Sequence, residues 1–209
     1  MSLSRGQSWG GTGDLPYGSE VAGSDAELRA VVTSARAAGD DPPTVGLTGG
    51  DLWRTLGGRS RTRGFSDEST RVVVDIGSVL LDGRIHWFVA HLVARRSWLI
   101  GRCWIAANAS HLGRWNLAPR AHPGDGLLDL LDSNLPILQR LQAHRRLHAG
   151  NHVPHPGIAY TRQPAQQISF QDPVPIHLDS ESVGSYRNIS VRLEPAALHL
   201  DVSACLNGP

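Results

Sequence analysis

The stretch QQISFQDPVPIHLDSESVGSYRNISVRLEP, residues 166–195, decides the fold class. It consists of short tracts of apolar and β-branched residues, and Asp, Ser, Gly and Pro separate one tract from the next. Short tracts at regular spacing with such turn residues between them are typical of antiparallel strands. The sequence therefore predicts consecutive strands joined by turns in this part of the chain.

The same texture extends in both directions, from residue 66 to the C-terminus. Three further tracts are rich in β-branched and aromatic residues: RVVVDIGSVLL (71–81), GRIHWFVAHLVA (83–94) and SWLIGRCWIAANA (97–109). One interruption, NLPILQRLQAHRRLHAG (134–150), carries the Leu and Ile stripe of a helix, which we place near residues 135–148. We predict a mainly antiparallel β-sandwich over residues 66–209.

A different pattern precedes this region. SDAELRAVVTSARAAG (24–39) predicts a helix that Ser24 or Asp25 caps and Gly39 ends. Short strands at EVAG (20–23) and TVGL (44–47), with a helical turn at GDLWRTLGG (50–58), complete a β-α-β-α unit. The fold class is therefore α+β. A small α/β unit with an Arg-rich linker occupies residues 1–65, and the sandwich follows.

Composition excludes several classes of function. The net charge is +1, which gives no general attraction for nucleic acid. All 20 basic residues are Arg, so no Lys can clamp a phosphate or form a Schiff base. The chain has neither a signal-like N-terminus nor an apolar run of about 18 residues. We expect a cytoplasmic protein without a transmembrane segment, with peripheral membrane contact left open, whose Cys103 and Cys205 are reduced thiols.

Local chemistry leaves alternatives open at three places. In APRAHPGDGLLDLL (118–131), Asp125 with Gly126 fits a plain turn, but it also fits a general base or metal ligand held at a rigid loop. The Gly-Gly pair before the second helix fits either a tight turn or a phosphate site. His144 and His148 have zinc-like spacing, yet no Glu follows His144, so we interpret the His-rich stretch as a solvated helix end without a structural metal.

Taken together, the segments over roughly residues 44–203 resemble the diacylglycerol kinase-like lipid kinases, particularly the bacterial members, which share a superfamily with NAD kinases. AANASHLGRWNLAPRAHPGDGLLDLL (106–131) resembles the family's loop with an acidic Asp-Gly pair and a Leu-Asp strand. The resemblance implies that Asp125 stands at the position of the base that deprotonates a lipid hydroxyl, and Asp129 near its metal. PVPIHLDSESVG (173–184) resembles the late hairpin, with Asp179 and Glu181 matching a D-G-E motif.

The upstream half resembles the family's nucleotide-binding loops. LTGGDLWRTLG (47–57) is similar to G-T-G-N-D-F-A-R-x-L-G, and VAGSDAELRAVV (21–32) is similar to V-x-G-G-D-G-T-L-x-E-V-V. The matched positions imply a nucleotide-binding set: Gly23, Asp25, Thr48, Gly49, Gly50, Asp51, Asp179 and Glu181. Within the second motif, the sequence departs at Ser24, Ala26 and Glu27, where the family has Gly, Gly and Thr.

These departures predict weak binding of ATP. Glycines in a phosphate loop let backbone N–H groups approach the oxygens, and Glu27 would repel a triphosphate. Roughly twenty residues precede the loop, fewer than the about 30 of one βαβ unit, so we expect an N-terminally truncated family member.

Three functions follow as hypotheses. The first is a degenerate, non-catalytic binding or regulatory protein that contacts a lipid or a complete kinase-like protein. The alternative is an active kinase of a lipid hydroxyl that uses ATP and Mg²⁺, with Asp125 as base. The third is a structural sandwich that forms homo-oligomers through its edge strands. Five tryptophans are candidates for an acyl pocket or, more commonly, for the core: Trp53, Trp87, Trp98, Trp104 and Trp115.

Overall fold

The computed structural model describes residues 10–13, 15–58 and 69–202. The strands are β1 (Gly10–Gly13), β2 (Val21–Ala22), β3 (Val45–Leu47), β4 (Ser69–Leu81), β5 (Arg84–Phe88), β6 (His91–Arg95), β7 (Cys103–Ala107), β8 (His111–Leu112), β9 (Trp115–Asn116), β10 (Leu128–Ser133), β11 (Ile158–Gln163), β12 (Ala165–Leu178) and β13 (Glu181–Val202). The helices are α1 (Asp25–Ala38), α2 (Asp51–Thr55) and α3 (Ile137–Arg146), and a 3-10 turn, Leu147–Ala149, follows α3.

Most of the described strands belong to one mainly antiparallel sheet in the order β1-β4-β13-β12-β6-β7-β10-β11. The predicted antiparallel sandwich is confirmed, as is the helix near residues 135–148. β3 pairs in parallel with the end of β13, and β2 pairs in parallel with β3. The small α/β unit thus continues the same sheet. The proposed boundary between residues 65 and 66 lies outside the described residues and stays a prediction.

The last two strands are longer than the short tracts that the sequence predicted. β12 spans Pro173, and β13 spans Pro195. The pairing register shifts between Ser169 and Val174 and again between Glu194 and Leu198. Proline has no N–H group to donate to a ladder, and Pro173 and Pro195 lie within these two shifts, so bulges accommodate them and the strands continue beyond. Pro175 keeps its register opposite Ser185.

Local chemistry explains helix α1, which covers one of three apolar cores. The Ser24 hydroxyl accepts a hydrogen bond from the Glu27 amide at 3.2 Å, and Gly39 ends the helix with a φ of 84°. Leu28 and Val32 are buried against the sheet. The second core fills the sandwich around Trp104 and Phe88, and the third lies between the sheet and the β8–β9 hairpin.

The packing of the second core leaves no room for a side chain at position 77. Gly77 pairs with the fully buried Phe88 across β4 and β5, and a Cβ atom at position 77 would overlap the Phe88 ring. We expect Gly77→Ala to lower the free energy of unfolding by about 1–3 kcal/mol, measured by urea denaturation. Gly11→Ala is the control, because a Cβ there meets nothing within 4 Å. Equal effects of the two substitutions would contradict this account of the core.

Candidate functional site: two linked carboxylate clusters

Asp25 organises the first group of predicted site residues. It is the first residue of α1 and is buried. Its carboxylate accepts hydrogen bonds from the amides of Asp51 at 2.5 Å and Leu52 at 3.1 Å, the first two residues of α2. Gly50 precedes α2 with a φ of 103°, and a Cβ atom at that position would overlap the Asp25 carboxylate. Only glycine fits at position 50 in this arrangement.

Glu27 and Thr48 complete the loops around Asp25. The Gly23 amide donates to Glu27 Oε2 at 2.6 Å, and the Glu27 amide donates to the Ser24 hydroxyl, which is a variant of the helix capping box. The Thr48 hydroxyl donates to the Ala22 carbonyl at 3.2 Å, and Gly49 is buried between β3 and α2. The polar groups of these loops therefore bond to one another.

Asp179 occupies the turn between β12 and β13. It is buried, has a φ of 48°, and accepts hydrogen bonds from three consecutive amides, those of Val89, Ala90 and His91, at 2.8–3.0 Å. β5 and β6 are separate strands because the amides of Val89 and Ala90, which lie between them, donate to this carboxylate and not to a neighbouring strand. Burial raises the pKa of Asp179 to about 6, and the three amides oppose that rise.

Arg29 joins the Asp179 turn to helix α1. Its Nε lies 3.9 Å from Asp179 Oδ2, and its terminal nitrogen pairs with Glu181. Burial first, and the nearby Asp179 carboxylate second, raise the pKa of Asp25 to about 7. Burial also raises the pKa of Asp51, whose Oδ1 accepts from the Gly113 amide at 2.7 Å. The structure therefore brings the eight predicted nucleotide-binding residues together around the N-terminal end of α1.

Asp125 and Asp129 form the second group, around Arg162. The Arg162 guanidinium pairs with Asp125 Oδ2 and donates through Nε to Asp129 Oδ2 at 3.1 Å. The other oxygen of Asp129 accepts from the Tyr160 hydroxyl, and Asp125 Oδ1 accepts from the Leu127 amide at 3.1 Å. Burial raises the pKa of Asp129, and Tyr160 and Arg162 oppose that rise. Both oxygens of each carboxylate thus accept hydrogen bonds from the protein.

Asp75 and Asn108 connect the two groups. The buried Asp75 carboxylate accepts from the amides of Gly126 and Ala196, each at 2.8 Å, and fixes the loop that carries Asp125. The Asn108 side-chain amide donates to the Asp75 carbonyl at 2.8 Å and to the Val89 carbonyl at 2.9 Å. A continuous hydrogen-bonded path therefore runs from the Asp125 loop to the segment that Asp179 holds.

The histidine and tryptophan candidates separate into two places. Trp53 and Trp104 are buried in the core, and Trp87 donates to Glu194 at 3.1 Å. The other candidates line a cavity of about 550 Å³: Trp98, Trp115, His144 and His148. Within residues 10–13, 15–58 and 69–202, no group of three His, Cys, Asp or Glu side chains is arranged to hold a metal ion.

This architecture, a mainly antiparallel sandwich with a small α/β unit on its sheet, places the protein in the class of NAD kinase-like β-sandwich proteins. Residues 62–202 match the model of the YegS C-terminal NAD kinase beta sandwich-like domain. The chain belongs to this family, so the predicted resemblance is confirmed. No curated protein matches the chain in sequence. No helix in the described parts has the length and apolar character that crossing a bilayer requires.

Solved structures share this fold at low sequence identity. One, of a proposed diacylglycerol kinase from Bacillus anthracis str. Sterne, has a TM-score of 0.65 and 12% identity, covering 88% of this chain and 77% of that one. Another, of a diacylglycerol kinase from the same organism, has a TM-score of 0.60 and 12% identity over 88% of this chain and 75% of that one. Similarity at this level establishes the common fold.

Proposed function

We propose that the protein is a lipid-kinase-like binding or regulatory protein that does not transfer phosphate. One observation carries the proposal: amides at the loops that resemble nucleotide-binding motifs donate to carboxylates of the same chain. The Gly23 amide donates to Glu27, and the Asp51 and Leu52 amides donate to Asp25. In a phosphate-binding loop such amides would face phosphate oxygens. The residues present therefore do not fit the phosphates of ATP.

The charges around these loops support the same conclusion. A triphosphate placed here would meet the carboxylate of Glu27, which stands where the family motif has Thr, and like charges at short range repel one another. Arg29 is the cation on the neighbouring turn of α1, and it already pairs with Glu181 and lies beside Asp179. No Lys exists in the sequence to supply another cation.

The hydrogen bonds of Asp125 also oppose a catalytic role. A general base must reach the proton that it abstracts, through a free acceptor position. Arg162 pairs with one oxygen of Asp125, and the Leu127 amide donates to the other. A lipid hydroxyl would have to share an oxygen with one of these partners. The Asp125 turn is better explained as a structural loop that Asp75 and Arg162 hold in place.

Calorimetry with Mg-ATP and Mg-ADP, followed by labelled-phosphate transfer to diacylglycerol and sphingoid lipids, tests the proposal. We expect dissociation constants weaker than about 100 μM, which corresponds to about −5.5 kcal/mol, and no labelled lipid. A regulatory role would be supported if transfer by a separate lipid kinase changed when this protein was added.

The alternative, an ATP-dependent lipid kinase, has a distinct signature in the same assay. It requires tighter nucleotide binding and turnover that Asp125→Asn abolishes. Asp132→Asn is the matched control, because Asp132 is also an Arg-paired carboxylate on the β10 side of the sandwich, but its partner is Arg102. Turnover lost in the first variant and kept in the second would overturn the binding-protein proposal.

A further inference from the structure

The guanidinium of Arg162 lies between the carboxylates of Asp125 and Asp129. Arg162 stands directly opposite Asp129 in the β10–β11 ladder, and its Nε donates to Asp129 Oδ2 at 3.1 Å. A terminal nitrogen of the same guanidinium pairs with Asp125 Oδ2. One side chain therefore connects the loop that carries Asp125 to the strand that carries Asp129. We call this arrangement the Arg162 bridge.

The Arg162 bridge is largely shielded from water. The side chain of Asp129 is fully buried, and the side chains of Asp125 and Arg162 are 22% and 23% exposed. The remaining oxygens accept hydrogen bonds, that of Asp129 from the Tyr160 hydroxyl and that of Asp125 from the Leu127 amide. Two carboxylates in such surroundings need a positive charge beside them, and a guanidinium of the same chain supplies it.

A divalent cation does not fit in the Arg162 bridge. Mg²⁺ and Ca²⁺ take about six to eight oxygen ligands. Here only one oxygen of Asp125 and one of Asp129 face the shared position, and the guanidinium fills it. A second cation beside Arg162 would be repelled, because an arginine side chain keeps its charge in proteins.

We propose that the Arg162 guanidinium takes the place of the metal that the resemblance to lipid kinases implies near Asp129. A metal ion can dissociate, whereas the register of β10 and β11 fixes Arg162 opposite Asp129. The flat guanidinium donates from two of its nitrogens to two carboxylates, which a single ammonium group would not reproduce. The loop that carries Asp125 therefore keeps its position without a metal ion. This inference goes beyond the proposed function and does not depend on whether phosphate transfer occurs.

Removal of the guanidinium should turn the same position into a cation site. In Arg162→Ala, the carboxylates of Asp125 and Asp129 lose the charge that they share, and the shortened side chain leaves room for a hydrated ion. Mg²⁺ in proteins commonly keeps several water ligands and binds through one or two carboxylates. The variant should therefore respond to divalent cations, and the wild type should not.

Thermal unfolding of the full chain, followed by circular dichroism at constant ionic strength, tests the proposal in EDTA, MgCl₂ and CaCl₂. The melting temperature of the wild type should differ by less than about 1 °C among the three, since neither ion binds the folded protein. In EDTA, Arg162→Ala should melt about 10 °C lower than the wild type, because a buried carboxylate loses its partner. At about 10 mM, Mg²⁺ or Ca²⁺ should restore about 4 °C, the shift expected for a dissociation constant near 1 mM.

Arg102→Ala is the matched control. Arg102 also donates from two nitrogens to a carboxylate, at 2.9 and 2.6 Å, but both of these bonds go to Asp132. Its variant should show no shift with divalent cations. The double variant Arg162→Ala/Asp129→Asn should lose the shift that Arg162→Ala gains, because one of the two carboxylates is then absent.

Two results would overturn the proposal. One is a wild type that Mg²⁺ or Ca²⁺ stabilises relative to EDTA. The other is an Arg162→Ala variant that neither ion stabilises, which would mean that the guanidinium supplies hydrogen bonds and not the charge of a cation. If Arg162→Ala does not fold in EDTA, Arg162→Gln, which keeps more of the side-chain volume, undergoes the same comparison. Failure of the proposed function would appear instead in the nucleotide and phosphate-transfer assays.

Discussion

Asp179→Ala is expected to lower the free energy of unfolding by about 3–6 kcal/mol, because it leaves three buried backbone N–H groups without an acceptor. The amides are those of Val89, Ala90 and His91, which all donate to the Asp179 carboxylate. Alanine also tolerates the positive φ of this turn less well than aspartate. Chemical denaturation followed by circular dichroism measures the change.

Glu181→Ala provides a close control for this prediction. Glu181 lies two residues along the hairpin and pairs with Arg29, which also lies beside Asp179, but it is exposed. Its removal should change the free energy of unfolding by less than about 1 kcal/mol. If Asp179→Ala were as mild, the carboxylate would not be needed to hold the β5–β6 break, and a ligand-binding role for Asp179 would regain support.

Local chemistry was enough to predict most of the elements. Ser24 and Gly39 bound α1 as their capping preferences indicate, and the tract around Val74 forms β4. The continuity of β12 and β13 could not be predicted, because Pro173 and Pro195 are turn residues as often as bulge residues. Only pairing with neighbouring strands, which depends on contacts distant in sequence, decides between the two.

Of the candidate site, the sequence predicts only the residues that belong to motifs resembling the family. Asp25, Asp51 and Asp179 were grouped in this way, and the structure brings them together. Arg162 was missed, because it faces Asp129 through the register of β10 and β11, which the sequence does not reveal. Asp75 was missed as well, since one polar residue within VVVDIG gives no sign of the amides that it binds from two other segments.

The orientation of α3 illustrates the same limit. Its Leu and Ile spacing predicts a helix, but the stripe alone would place those side chains inward. The structure has the opposite orientation, with Ile137, Leu138 and Leu141 exposed and Arg140 buried. Arg140 is buried because its guanidinium donates hydrogen bonds to the carbonyls of Trp98 and Gly101. That reversal depends on a loop about forty residues away, so no helical pattern could have predicted it.

Asp25→Asn is expected to change how stability depends on pH. The carboxyl group has an ordinary pKa of 3.8, and burial together with Asp179 raises it to about 7 in the folded protein. The folded state therefore binds this proton more tightly than the unfolded state, and ionisation of Asp25 lowers the free energy of unfolding as pH rises from about 4 to about 7. Asparagine cannot ionise. Relative to the wild type, the variant should therefore gain about 2–3 kcal/mol between about pH 5 and about pH 7.5.

Urea denaturation of both proteins at the two pH values measures this gain. His91 contributes in the opposite direction, since burial lowers its pKa to about 4, but it is present in both proteins and cancels in the difference. Asp172→Asn removes an exposed carboxylate and controls for the loss of one charge, with an expected effect below about 0.5 kcal/mol at both pH values. A difference between Asp25→Asn and the wild type that stayed constant with pH would mean that the folded protein holds Asp25 ionised throughout. The Asp51 and Leu52 amides would then outweigh its burial.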